Sequence, residues 1–196
     1  MFIISPCAAG CGQAAVFGSK LCFTHQANQQ LETLRIAEYI TEKKTITDLN
    51  VPLVRFENID FSNCNFNGCN FKQCEFSMCI FSGAIMEMTF FDFASFTGCD
   101  FSKSDLQFLS FAGAQIHNCS FEGSELVHLN FCGAGIFETT FDNSNLYNSR
   151  FINAEIKNSD FINCNLKRVH FFGSKQEGIN FKSSNTAEAL FEMGEE

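Results

Sequence analysis

SNCNFNGCNFKQCEFSMCIF, residues 62–81, places Cys64, Cys69, Cys74 and Cys79 at intervals of five, each followed two residues later by Phe66, Phe71, Phe76 or Phe81. An interval of five fits neither the roughly 3.6-residue turn of an α-helix nor the plain alternation of a strand, so each unit reads as a short extended piece followed by a corner. The pattern continues outward in both directions. From Phe56 to Phe171, in steps of five, every such residue is large and apolar, which makes 24 units without an insertion. Two residues before each stands Ala, Ser, Cys or Thr in most units, with Val54, Ile59, Leu109, Leu129 and Val169 as larger exceptions. Both positions are expected to point inward.

A longer period lies on top of the first. Leu recurs at 106, 126, 146 and 166 and Ile at 116, 136 and 156, with Phe in the alternate units, so the environment repeats every 20 residues. Four units then make one turn of a solenoid. Residues 54–173 supply about six turns, and at roughly 4.8 Å between hydrogen-bonded strands the rod is about 29 Å long. Units such as CDFSK (99–103), SDLQF (104–108), AEIKN (154–158) and CNLKR (164–168) resemble the A(D/N)LXX repeats of the pentapeptide-repeat family. The resemblance implies an all-β solenoid, a right-handed quadrilateral β-helix, and says little about chemistry, because members of that family serve different ends.

In this architecture the four cysteines of the opening stretch fall on four successive walls and do not converge, so they read as small apolar residues of the core. Cys79, Cys99 and Cys119 should stack about 4.8 Å apart along one wall. That is near enough for a disulfide by Cα distance, but their parallel Cβ directions argue against it. Packing is the favoured reading, with metal binding or oxidation as the alternatives.

The amino-terminal stretch differs. Cys7, Cys11, Cys22 and His25 form C-x3-C-x10-C-x2-H, two close pairs on either side of a Gly-containing segment. This donor set suits a tetrahedral structural zinc, which supplies folding energy that about 20 residues cannot draw from a core of their own. The stretch resembles small zinc knuckles. Four protein ligands leave no open position for catalysis. After His25, Leu31, Leu34 and Ala37 lie on one side of a helix, with Ile36 and Ile40 nearby. Such a helix would cap the open end of the solenoid, where backbone and apolar side chains are otherwise bare. The expected organisation is a zinc knuckle over 1–25, a capping helix over 26–45, the β-helix over 46–185 and a tail over 186–196. Gln176 and Thr186 break the apolar register, so the last turn fades there. The family resemblance allows a homodimer through the carboxy-terminal end.

The net charge of −9 gives no reason to expect direct binding to nucleic acid or an anionic membrane. The first residues, MFIISPC, lack the features of a secretory signal, and no run of about 18 apolar residues occurs, so the chain is expected to be cytoplasmic. Nucleotide-binding, nucleophile-elbow and zinc-protease motifs are absent. His117, His128 and His170 fall on different walls. A non-enzymatic scaffold for a protein partner is therefore the leading expectation.

The alternative is a mimic of DNA that acts on DNA gyrase, as some family members do. Duplex DNA carries about one charge per 1.7 Å, or roughly 17 over a 29 Å rod. Residues 54–173 carry 13 acidic and seven basic residues, a net −6. Acidity is concentrated between Glu75 and Asp142, where Lys103 is the only basic residue. For a protein partner the best candidate surface is the column Met88, Phe108, His128 and Arg168, with Tyr147 beside it. Aromatic and Arg side chains are the usual anchors of interfaces. The competing wall carries Phe90, Phe93, Cys132, Ile152 and Phe172.

Overall fold

A computed structural model describes residues 4–192 and shows a parallel β-solenoid of about seven turns with one amino-terminal helix. The four walls are set by pairing between residues 20 apart. The first wall stacks Thr45–Thr47, Asn65–Asn67, Ile85–Glu87, Asp105–Gln107 and Glu125–Val127. The third stacks Arg55–Glu57, Glu75–Ser77, Ser95–Thr97, Gln115–His117, Gly135–Phe137, Glu155–Lys157 and Lys175–Glu177. Between them the second wall climbs by single bridges from Asn50 through Asn70 and Phe90 to His170 and Leu190, and the fourth from Asp60 through Ile80 and Asp100 to Asn180.

The rod is a turn longer than the apolar register from Phe56 to Phe171 implies. Ile46 and Val51 open an earlier turn, and Leu190 still bridges His170 although the Lys175–Glu177 strand is exposed throughout. Backbone pairing needs no large inward side chain, so the ladder outlasts the core. The last four residues of the expected tail lie outside the described residues.

Each corner turns on a residue with positive φ, two positions after the inward central residue. Asn or Gly fills most of these sites, as at Asn58, Asn63, Gly68 and Gly83, because both tolerate the left-handed conformation. Met78, Met88, Phe93, Phe108 and His128 adopt it as well, with φ between 48° and 60°, at a steric cost of roughly 1–2 kcal/mol each. Phe93 lies across the next turn at Gly113, where an added Cβ would meet the ring at 2.6 Å.

The core is a set of four columns. Phe fills the second and fourth walls, whereas Leu and Ile fill the first and third in the carboxy-terminal half. Successive rings in one column stack: Phe111 and Phe131 are 5.0 Å apart at 9°. Rings from the opposing columns meet edge to face, as Phe131 and Phe141 do at 6.0 Å and 87°. Both are favourable aromatic geometries.

All the cysteines of the rod are free thiols, and those of the opening stretch are buried on separate walls. Their position has a second role beyond small size. Cys74 Sγ donates to the Val51 carbonyl at 2.9 Å, Ser144 Oγ to Phe121 at 2.7 Å and Ser149 Oγ to Leu126 at 2.7 Å, each 23 residues back. The same serine hydroxyls also accept from the turn before: Ser124 N–H donates to Ser144 Oγ and Leu129 N–H to Ser149 Oγ. Corners with Ala, Cys or Ser alike can close a local bond, as Ala114 N–H does to the Phe111 carbonyl, Cys74 N–H to Phe71 and Ser149 N–H to Leu146. Burial pushes the Cys69 and Cys164 thiols up to about 11, which keeps them protonated as donors.

The helix, α1, runs Gln29–Lys43; the Asn28 side chain accepts from Leu31 N–H at its start, and Lys44 closes it in the left-handed conformation. Ile36, Ala37 and Ile40 are buried in one cluster with Ile46, Leu49 and Val51, so the helix covers the open end of the first turn. Leu31 and Leu34 are exposed, contrary to the expected apolar side. The stripe that faces the rod passes through Thr33, Ile36, Ala37 and Ile40, and Leu31 and Leu34 lie off it.

Candidate metal centre and partner-facing wall

The four amino-terminal donors converge. Cys7, Cys11, Cys22 and His25 present one ligand atom each, and these atoms all lie within 4.8 Å of one another. Cys11 Sγ is 3.7 Å from Cys22 Sγ, Cys7 Sγ is 3.6 Å from His25 Nδ1, and Cys22 Sγ is 3.2 Å from the same nitrogen. A tetrahedral zinc with its usual bond lengths spaces sulfurs about 3.8 Å apart and sulfur from nitrogen about 3.5 Å. The donor set and its spacing therefore fit a closed zinc site.

Local structure builds this centre. Pro6 and Ala14 bridge antiparallel, and Cys7 N–H donates to the Gln13 carbonyl, so residues 6–14 form a tight loop carrying Cys7 and Cys11. The short 3-10 turn Phe23–His25 carries His25 next to Cys22, while Cys22 N–H donates to Cys7 Sγ at 3.3 Å. Burial works against ionisation of Cys22, but the Thr24 hydroxyl and the His25 ring outweigh it and bring the thiol down to about 6. The Cys22 N–H also lowers Cys7, and the two thiols raise His25. The Thr24 hydroxyl, 3.1 Å from Cys22 Sγ, escaped the reading of the spacing because it is not itself a ligand type.

The candidate partner wall is a connected column. Phe108 and His128 stack at 4.9 Å and 10°, His128 meets Tyr147 edge-on at 5.8 Å, and Arg168 donates to the Tyr147 hydroxyl at 3.2 Å. The Asn148 amide donates to His128 Nδ1 at 2.7 Å, which fixes the ring. Met88 occupies the same corner one turn before Phe108, and both are about half exposed. His117 and His170 lie apart from this column, against Phe137 and Phe172 respectively.

Residues 114–191 match the model of a pentapeptide repeat region, and residues 54–87 and 89–123 match that of pentapeptide repeats in eight copies. No curated protein matches the chain. Among solved structures it is similar to trypsin-treated QnrB1, a plasmid-mediated fluoroquinolone resistance protein, at 21% identity and a TM-score of 0.47, over 67% of this chain and 82% of that one. HetL, a pentapeptide repeat protein involved in heterocyst differentiation regulation in the cyanobacterium Nostoc sp. strain PCC 7120, matches at 14% identity and a TM-score of 0.46, over 85% of this chain and 98% of that one. A pentapeptide repeat protein from the Arabidopsis thaliana thylakoid lumen matches at 18% identity and a TM-score of 0.37, over 59% of this chain and 67% of that one. With five-residue units matched along 54–87 and 89–191, and twenty-residue ladders built from them, the chain belongs to the pentapeptide-repeat family.

Proposed function

We propose that the protein is a non-enzymatic scaffold that binds a protein partner through the Met88, Phe108, His128, Tyr147 and Arg168 wall. The observation that carries this reading is the stacked column itself: the exposed Phe108 and the half-buried His128 and Tyr147 rings are held by one another and by Asn148 and Arg168. Ordering such groups in advance lowers the entropy lost on binding. A Phe108→Ser, Tyr147→Ser variant used as bait beside the wild type is expected to lose a specific partner while keeping its fold. Retention of every specific partner by the folded variant would refute the assignment.

The runner-up reading, mimicry of DNA toward gyrase or another DNA-binding protein, draws on the acidic stretch from Glu75 to Asp142. Part of that acidity is internally spent. Asp92 is nearly buried, bonded to Lys72 at 2.7 Å and to the Ser110 hydroxyl, and Glu75 pairs with Arg55 at 3.2 Å. The scaffold reading is therefore preferred.

In the same proposal the Cys7, Cys11, Cys22 and His25 site holds a structural zinc. Among the described residues no helix is long and apolar enough to cross a membrane, and a cytoplasmic location is part of the proposal. The carboxy-terminal end, with Leu190 and Phe191 partly exposed, is the surface offered for self-association.

A further inference from the structure

The knuckle does more than sit beside the rod. Phe17 N–H donates to the Asn50 carbonyl at 2.9 Å, the same kind of bond that Val51 N–H makes to Asn70 and Phe71 N–H makes to Phe90 on the second wall. The Asn50 amide donates to the Ala15 carbonyl at 3.3 Å, and the Asn70 amide to Asn50 Oδ1 at 2.7 Å, so a buried side-chain ladder continues into the knuckle. Residues 15–17 thus act as a rung laid before the first turn. Val16 and Phe23 bury their side chains in the rod's core cluster, Phe17 packs on Tyr39 at 4.6 Å, and Arg35 donates to the Phe17 carbonyl. Phe23 lies directly between the ligands Cys22 and His25 in the chain.

At the other end of the same wall the last described rung is Ala189, Leu190 and Phe191. Leu190 bridges His170, and Phe191 stacks on Phe171 at 5.1 Å. Among the described residues the one α-helix, α1, belongs to the opposite end, the short 3-10 turn Thr186–Glu188 leads into this rung, and Leu190 and Phe191 remain partly exposed. Its sequence, Ala-Leu-Phe, is close to the Ala15-Val16-Phe17 of the knuckle rung, and by the twenty-residue register Phe191 N–H is the donor that would follow Phe171 on this wall.

We propose that the metal-bound knuckle and α1, which is tied to it through Phe17, Tyr39 and Arg35, form one removable end cap, and that its release opens the second wall at Asn50 to the Ala189–Phe191 rung of a second copy. The proposal rests on the zinc reading given above. The interface is heterologous, head to tail along the rod axis, so each added copy presents the next free end and association grows with concentration. An unpaired sheet edge is a ready template for another strand. Tail-to-tail pairing would instead leave Asn50 irrelevant.

The test is sedimentation of the full chain at several concentrations, with zinc, after chelation, and after zinc is restored, with metal content measured on the same samples. Chelation is expected to raise the average mass about two-fold or more, increasingly with concentration, and zinc to reverse it. A Leu190→Asp, Phe191→Asp variant should keep its mass on chelation. A Cys7→Ser, Cys22→Ser variant should associate without chelator, which probes the released rung independently of any metal. Unchanged mass in that cysteine variant, or equal association in the Leu190 and Phe191 variant, overturns the proposal. Wild-type protein that never binds zinc overturns the zinc reading alone, because the cysteine variant still decides the rung.

Discussion

Phe111→Ala is expected to lower the stability of the rod by about 3–5 kcal/mol, the range for a buried Phe truncated where the surroundings cannot collapse. The ring stacks on Phe91 at 5.1 Å and on Phe131 at 5.0 Å, and meets Phe121 edge-on at 6.2 Å. It therefore supports its own column and the opposing one. Collapse into the vacated space is opposed by the backbone ladders, which hold each wall at fixed spacing. Gln115→Ala, on the exposed face of the neighbouring strand, serves as the control and should change little. Denaturant titration of both variants checks the difference. Equal shifts of the two midpoints would contradict the inward assignment. Because turns contact mainly their neighbours, the Phe111 defect is readable locally by hydrogen exchange as well as globally.

The second large effect concerns the metal. The purified chain is expected to carry one zinc, and a Cys7→Ser, Cys22→Ser variant to carry almost none, as read by native mass and elemental analysis. Structural zinc sites contribute on the order of 10 kcal/mol of apparent binding free energy at neutral pH, far more than the few apolar contacts of Val16 and Phe23 supply. Loss of metal should therefore release the knuckle while the Phe columns keep the rod folded. Protein prepared without chelator that contains no metal, or a double variant with undiminished content, would contradict the site.

The solenoid was legible because its two periods are independent of each other. The five-residue spacing from Phe56 to Phe171 fixed the inward positions, and the return of Leu at 106, 126, 146 and 166 fixed four walls per turn. What stayed hidden depends on partners distant in the chain. Ala, Ser and Cys look interchangeable by size, yet Ser144 and Ser149 bond both to a carbonyl 23 residues back and to the N–H of the preceding turn. The helix shows a similar limit. Leu31, Leu34 and Ala37 and the stripe through Ile36 and Ile40 are both reasonable apolar faces, and only the position of Ile46, Leu49 and Val51 selects the second. The convergence of Cys7, Cys11, Cys22 and His25 was visible in their spacing, whereas the rung at residues 15–17 was not, since it meets Asn50 outside the five-residue register.

The claim that the rod works as a scaffold through its aromatic wall is tested most directly by the affinity of a captured partner at low and high salt, measured for three proteins. These are the wild type, the Phe108→Ser, Tyr147→Ser variant, and an Asp100→Asn, Asp105→Asn, Glu122→Gln, Glu125→Gln variant. Binding through desolvated aromatic anchors should vanish in the second, persist in the third and change little with salt. Binding that survives in the second, disappears in the third and weakens steeply with salt would contradict the scaffold and make the acidic surface the one that binds.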